Sequence, residues 1–218
     1  TLHSLQNFKS STHGFMAIKL DMSKAYDRVD WNFLEKLMRQ MGFIERWIQL
    51  IMGCVKTVSY SVLVNGEPCG MIQPTRGIRQ GDPLSPFLFL LCTEGLNGLI
   101  KKAENNGEIH GFSLCRRGPK LTHLLFADDS LLFCRATIEE CEKVLEVLNM
   151  YEEASGQKVN KNKTALFFSK CTPSDVRHEI KVAFGVPEIM QYERYLGLPS
   201  FVGKRKKKSK FQLHQRKN

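Results

Sequence analysis

Apolar and polar residues along the chain alternate between two periods, and the switches between them mark its elements. Phe15-Met16-Ala17-Ile18-Lys19-Leu20 is a short, nearly continuous apolar run ending at Asp21, the pattern of a buried strand. From Asp30 the period becomes helical. Phe33, Leu34, Leu37, Met38 and Met41 recur on one face, with Asp30 as N-cap and Gly42 as the stop. Ile44 to Met52 predicts a second short helix. Val58 to Val64 then alternates as a strand, and Asn65-Gly66 is a preferred two-residue hairpin turn. The returning strand is expected at about Cys69 to Gln73.

The polar loop Thr75 to Gly81 carries Arg76, Arg79 and Gln80. Asp82-Pro83 predicts a helix start, an N-cap followed by Pro at the first helical position, and the helix runs to about Asn105. Its apolar side is Phe87, Leu88, Leu91, Leu96, Leu99 and Ile100. After Ile109 to Leu114 and the turn Arg116-Arg117-Gly118-Pro119, two apolar runs, His123-Leu124-Leu125 and Leu131-Leu132-Phe133, flank Phe126-Ala127-Asp128-Asp129. Apolar–acidic–apolar reads as a hairpin with carboxylates at its turn; read alone, paired Asp residues there need be no more than turn formers. Phe126 is expected to pack under that hairpin. Thr137 and Glu140 predict a capping box for a helix with Ile138, Cys141, Val144, Leu145, Leu148 and Tyr151 on its apolar face and Gly156 as its end. A strand at Ala165 to Phe168, a helix at Ser174 to Phe184 and a strand or turn at Tyr195-Leu196-Gly197-Leu198 follow. Helices and hairpins mix without βαβ alternation, so the expected class is α+β.

Composition narrows this picture. With 218 residues, 42% hydrophobic and 25% charged, the chain can bury a core. No apolar run reaches the length of a membrane span, so no membrane partner is expected. The seven cysteines (54, 69, 92, 115, 134, 141 and 171) show no C-x-x-C spacing, which argues for a reducing, intracellular setting and mostly core roles. The N-terminus lacks an initiator Met and a signal pattern, so the chain is expected to be a piece of a longer one. The net charge of +10 invites a nucleic-acid reading. Eight of the 32 Lys and Arg lie at 200–218, where there is no acid, which leaves 24 basic against 22 acidic residues elsewhere. The basic signal is therefore a tail. Its run Lys204-Arg205-Lys206-Lys207-Lys208 is either a phosphate contact or nuclear address, or a solvated face.

Candidate chemistry begins with three acids. Asp21 ends one buried strand, and Asp128-Asp129 cap a hairpin far away in sequence. If those strands are neighbours, three carboxylates meet at one sheet edge. Such a cluster is costly unless divalent cations relieve it. Oxygen ligands alone favour Mg²⁺ or Mn²⁺, and two such ions stabilise the attacking and leaving oxygens of phosphoryl transfer.

The residues now carry a resemblance. Lys19-Leu20-Asp21-Met22-Ser23-Lys24-Ala25-Tyr26-Asp27-Arg28-Val29 resembles motif A of reverse transcriptases. Gly77-Ile78-Arg79-Gln80-Gly81-Asp82-Pro83-Leu84-Ser85-Pro86 resembles motif B, and Phe126-Ala127-Asp128-Asp129 motif C. Gly156-Gln157-Lys158-Val159-Asn160-Lys161-Asn162-Lys163-Thr164 is similar to motif D, and Tyr195-Leu196-Gly197 to the region after it. The set is in order, covers about residues 14–203, and is most similar to plant LINE-type (non-LTR) retrotransposon enzymes. Group II intron reverse transcriptases are the nearest relatives to exclude.

The resemblance implies a right-hand polymerase palm, an antiparallel sheet packed on helices. Residues 1–13 would be a remnant of the upstream fingers. Residues 14–203 would form the palm, with a partial fingers insert at about 31–75, and 204–218 would be a basic tail or the start of a thumb or connector. Fingers and thumb would be largely missing. The implied activity is RNA-directed DNA polymerisation with two Mg²⁺ ions (or Mn²⁺), an RNA template, a DNA primer and dNTPs. The missing fingers, thumb and endonuclease regions of a parent polyprotein would be partners, and the nucleus the expected compartment. Asp21 and Asp128 would be the principal metal ligands and Asp129 would sit beside them, with Met22 in the same metal set. Tyr26 would be a steric gate against the sugar 2′ position, or else a core aromatic. Backbone groups near Lys24 and Ala25 would face the triphosphate, Gln80 and Gly81 would lie over the nucleotide, and Arg79 would bind phosphate or pair with a body carboxylate. Lys163 would serve the leaving pyrophosphate, with Lys158 and Lys161 as rivals. Asp27 and Asp82 read as structural. The chain is expected to be inactive in isolation; the competing expectation is a decayed, non-catalytic retroelement fragment with at most non-specific nucleic-acid binding.

Overall fold

The computed structural model describes Leu5 and residues 14–113, 118–126 and 129–189. Cys115, Arg116, Arg117, Ala127, Asp128, Tyr195-Leu196-Gly197 and the basic run Lys204-Arg205-Lys206-Lys207-Lys208 lie outside the described residues.

In chain order the described elements are β1 (Phe15–Asp21), α1 (Trp31–Gln40), α2 (Glu45–Lys56), β2 (Tyr60–Val64), β3 (Glu67–Ile72) and α3 (Ser85–Asn105). They continue with β4 (Phe112–Ser113), β5 (Lys120–Leu121), β6 (His123–Phe126), β7 (Asp129–Arg135), α4 (Ile138–Ser155), β8 (Ala165–Phe168) and α5 (Ser174–Phe184). The mixture is α+β. A four-stranded antiparallel sheet has the order β6-β7-β1-β8, so β1 and β7, far apart in sequence, are hydrogen-bonded neighbours.

Alternation along the strands divides the sheet into two faces. Met16, Ile18, Leu20, Leu132, Cys134, Leu166 and Phe168 point into the main core, which the helices cover. There α3 packs on α1 and α4, and α5 packs on α4. The other face is apolar at one end only. Ala17, Leu131, Phe133 and Phe167 bury against Leu5 and Phe112 in a second, smaller core. Continuing along that face, β1 presents Lys19 and Asp21, and β7 presents Asp129. Among the described residues no helix covers this polar end of the sheet.

Local signals explain most boundaries. Asp30 caps α1 by accepting from the Phe33 amide at 2.8 Å. Asn65 and Gly66 both take positive φ, +52° and +90°, as a primed two-residue turn requires. The β2–β3 hairpin is exposed throughout, including Val62, Leu63, Met71 and Ile72.

One expected helix start and one expected capping box differ. Helix α3 begins at Ser85 rather than at Asp82-Pro83, with Pro86 in its first turn. Asp82 instead closes a preceding turn, its carboxylate accepting from the Leu84 amide at 2.8 Å. The capping box at α4 is half formed. Thr137 accepts from the Glu140 amide, but the Glu140 carboxylate turns away to the amides of His110 (2.9 Å) and Arg135 (3.0 Å) and to His110 Nδ1 (2.8 Å). Those two amides lack helix partners, and at 5% exposure Glu140 satisfies them better than it would a solvent-facing cap. Cys92, Cys134 and Cys141 are core residues as expected, whereas Cys54 and Cys69 are exposed. Burial pushes the Cys92 thiol up to about 12, so it stays protonated.

Candidate active site

The β1–β7 register sets Asp21 directly opposite Asp129. Opposed residues of an antiparallel pair share a face, with Cα atoms about 4.5–5.5 Å apart. The two carboxylates therefore meet at the open end of the sheet, and the strand adjacency that the sequence left conditional is present. Asp128 lies outside the described residues. Among the described residues no group of three His, Cys, Asp or Glu side chains converges as a metal site.

Two like charges facing each other are destabilising, and the fold supplies relief from both sides. Lys19 Nζ lies 3.5 Å from Asp129 Oδ1, a diagonal neighbour on the same face. Asn160 Nδ2 donates to Asp21 Oδ2 at 3.1 Å. These hard oxygen donors, with Lys19 the one cation paired to them among the described residues, fit Mg²⁺ or Mn²⁺. The Met22 side chain is buried in the main core and its backbone bridges to Val159. Any part it takes in that set falls to its carbonyl oxygen, because a thioether is a soft ligand.

The segment 156–164 runs along the end of β1 and holds it. Asn160 N donates to the Asp21 carbonyl at 2.8 Å, Ser23 N to the Lys158 carbonyl at 2.8 Å, and Asp21 N to Thr164 Oγ1 at 3.4 Å. Glu152 accepts from the Val159 amide (2.6 Å) and Lys158 Nζ (2.8 Å). Lys158 is thereby engaged in an ion pair, and Lys161 Nζ lies towards Gly185. Lys163 is exposed and makes no ion pair among the described residues.

The turn after Asp21 is tied down through the core. Lys24 takes positive φ, +50°, in that turn. Gln157 Nε2 donates to the Ala25 carbonyl at 3.2 Å, and Gln157 Oε1 meets the Tyr151 hydroxyl at 3.0 Å. That hydroxyl is also 3.1 Å from the Cys92 carbonyl, linking α3, α4 and the turn. Burial raises the Tyr151 phenol well above its usual range, so it remains a donor. Tyr26 is half-buried, its ring stacked on Phe89 at 4.9 Å and 9°. Phe89 lies on α3, so the helix after the Gln80 loop sets the angle of the Tyr26 ring.

That loop is stapled to the same turn. Gly77 N donates to the Val29 carbonyl, Ile78 N to the Tyr26 carbonyl, and Trp31 Nε1 to the Gly77 carbonyl at 2.7 Å. Gly77 (φ +91°) has room for no Cβ, because Asp27 O stands 2.8 Å from where one would be. Gly81 (φ +90°) would meet nothing within 4 Å. Arg76, Arg79, Gln80, Asp27 and Tyr60 line a cavity of about 480 Å³ beside the loop. Arg79 is exposed and forms no salt bridge among the described residues, so the body-carboxylate alternative is not realised there.

Phe126 corrects an expectation. It pairs with Asp129 across the β6–β7 hairpin and is 60% exposed. Because opposed residues share a face, Phe126 stands beside the carboxylates rather than beneath the hairpin. His123 joins β6 to α3, with Nε2 2.9 Å from Asn97 Oδ1 and Nδ1 3.0 Å from Thr122 Oγ1. Lys19, Asn160, Thr164 and Gln157 were not singled out from sequence, and their polar types at motif edges were the only signal.

The family described as reverse transcriptase (RNA-dependent DNA polymerase) matches residues 1–212. The chain belongs to that family. A Pol polyprotein from the type-1 retrotransposable element R2 of Popillia japonica is 32% identical over 128 residues, 59% of this chain and 20% of that protein. An uncharacterized mitochondrial protein of Arabidopsis thaliana is 52% identical over 68 residues, 31% of this chain and 56% of that one. The reverse transcriptase domain described here therefore spans only part of these relatives. Telomerase from Candida tropicalis, solved with a fragment of telomeric RNA, shares the fold at TM-score 0.57 and 15% identity, over 77% of this chain and 28% of that one. Apo telomerase from the same organism gives 0.56 at 18% identity, over 73% and 31%. The helix-backed antiparallel sheet is thus a reverse transcriptase fold.

Proposed function

We propose that the chain is the palm of an RNA-directed DNA polymerase of a non-LTR retrotransposon, adding dNTPs to a primer 3′-OH on an RNA template. The observation that carries this reading is the β1–β7 register that sets Asp21 opposite Asp129 at the polar end of the sheet. Asp21, Asp129 and Asp128, with the Met22 carbonyl, would hold two Mg²⁺ or Mn²⁺ ions. When bound, such ions activate the attacking 3′-oxygen and offset charge on the leaving pyrophosphate.

The chain's own residues do the rest. Asp21 and Asp129 supply anionic oxygens at a fixed spacing. Tyr26, braced by Phe89, crowds the sugar 2′ position and disfavours rNTPs. Gly81 admits the nucleotide against bare backbone and Gln80 bonds its sugar, while Arg79 and the turn at Lys24 and Ala25 face the phosphates. Lys163 gives a proton to, or neutralises, the departing pyrophosphate. Lys158 is the weaker candidate because Glu152 already holds it. The basic run 204–208 would add sequence-independent phosphate contacts and a nuclear address.

The test is primer extension by the polyprotein that contains this chain, with RNA template, dNTPs and Mg²⁺ or Mn²⁺. Asp129→Ala and Asp21→Ala are each expected to remove synthesis while the fold persists. Synthesis that survives the double substitution would overturn the assignment.

A further inference from the structure

We infer that Asn160 is a positioning residue for Asp21, fixing the carboxylate so that its free oxygen faces the metal position. This rests on the metal reading above and goes beyond it, because it assigns the 156–164 segment a task distinct from any lysine in it.

Three hydrogen bonds tie Asp21 to the segment. Asn160 meets Asp21 twice, through its backbone amide to the carbonyl (2.8 Å) and through Nδ2 to Oδ2 (3.1 Å). The Asp21 amide goes to Thr164 Oγ1, and Thr164 is buried. The Asn160 carbonyl accepts the amides of Lys163 (3.0 Å) and Thr164 (2.9 Å), closing a turn that keeps the Asn160 side chain in place. The clamp thus holds both ends of the Asp21 peptide unit as well as one carboxylate oxygen.

The chemistry of the donor matters. An amide N–H is neutral, so it orients the carboxylate without cancelling its charge. A lysine at the same place would compete with a cation, as Lys19 does at Asp129. Asn160 occupies one lone-pair direction of Oδ2, and among the described residues no donor takes Oδ1, which is open to a ligand. Hydrogen-bonded carboxylates of this kind are a general feature of metal sites, and loss of the partner typically costs 10–100-fold in metal affinity.

The experiment is Mn²⁺ titration of the chain followed by electron paramagnetic resonance, with thermal unfolding recorded on the same samples. Asn160→Ala is expected to weaken Mn²⁺ binding about 10-fold. Asn160→Leu keeps the branched shape of the side chain without its donor and is expected to do the same, which covers a folding failure of the alanine variant. Glu152→Gln is the control. It loosens the same segment through Val159 and Lys158 without touching Asp21, and is expected to lower the unfolding temperature while leaving Mn²⁺ affinity within twofold. Wild-type affinity in both Asn160 variants, with binding still lost in Asp21→Ala, would overturn the positioning role alone. An equal loss in Glu152→Gln would overturn it too, by assigning the effect to the segment as a whole. Mn²⁺ binding that survives Asp21→Ala and Asp129→Ala together would overturn the metal reading and this one with it.

Discussion

Gly77→Ala is the substitution whose cost the structure defines best. The backbone at Gly77 has φ +91°, and an added Cβ would sit 2.8 Å from Asp27 O, 3.1 Å from its carbonyl carbon and 3.2 Å from its Cα. All three atoms are backbone, and the turn they belong to is tied to the Gly77 loop by three hydrogen bonds, so it cannot swing away. A left-handed conformation costs an L-residue about 1–2 kcal/mol, and forcing a methyl group into a filled site adds about 1–3. The alanine also restricts the unfolded chain, which returns about 0.4–1 kcal/mol. The expected net loss is about 2–4 kcal/mol. Gly81→Ala is the matched control, with φ +90° and nothing within 4 Å. It pays the conformational cost alone, about 1 kcal/mol. Urea unfolding of both variants at constant slope measures the difference. A Gly77→Ala loss no larger than that of Gly81→Ala would mean that the Asp27 turn gives way freely and that the close approach costs nothing. Activity is expected to separate in the opposite sense. Gly81→Ala should lose nucleotide addition with nearly normal stability, because its methyl group enters the open space proposed for the nucleotide.

Three further outcomes follow from the site. Asp21→Asn keeps an acceptor for Asn160 and removes one of two facing charges, so without divalent ions its stability should match or exceed wild type by a few tenths to about 1 kcal/mol; Mg²⁺ should raise the unfolding temperature of wild type only. Tyr26→Val should lose about 0.5–1.5 kcal/mol of ring stacking and accept rNTPs more readily in primer extension; unchanged sugar discrimination would remove the gate. For His123, burial first and the Lys101 charge second depress protonation below the ordinary value of 6.5. The unfolded chain therefore binds the extra proton first on acidification, so this contribution to stability is complete above 6.5 and is lost as pH falls through the lower folded value. His123→Gln should flatten that part of the stability–pH profile, and an unchanged profile would contradict the assignment.

The elements were largely legible because periodicity and capping are local. The Asp30 cap, the Asn65-Gly66 turn, β8 and α5 all follow from residues within a few positions. Expected caps changed where a side chain had another partner. Glu140 abandons the local box for the amides of His110 and Arg135, and Asp82 spends its carboxylate on a turn before α3. The carboxylate pair was legible only as a condition, because strand pairing between residues more than 100 positions apart is set by tertiary packing. Once β1 and β7 pair with their apolar sets facing the helices, a one-residue slip would expose the whole core set. Asp21 is thereby held opposite Asp129. Phe126 was misplaced for the same reason: its face follows from that register and not from its own hydrophobicity. Asn160 carried no signal beyond its place in a lysine-rich turn.

Diffraction from crystals soaked in Mn²⁺, with the anomalous signal of the ion recorded, shows whether the Asp21–Asp129 pair holds a metal. Mn²⁺ is expected between Asp21 and Asp129, with a carboxylate oxygen of each about 2–2.3 Å from an ion. Mn²⁺ bound elsewhere while those carboxylates stay paired to Asn160 and Lys19 alone would contradict that assignment.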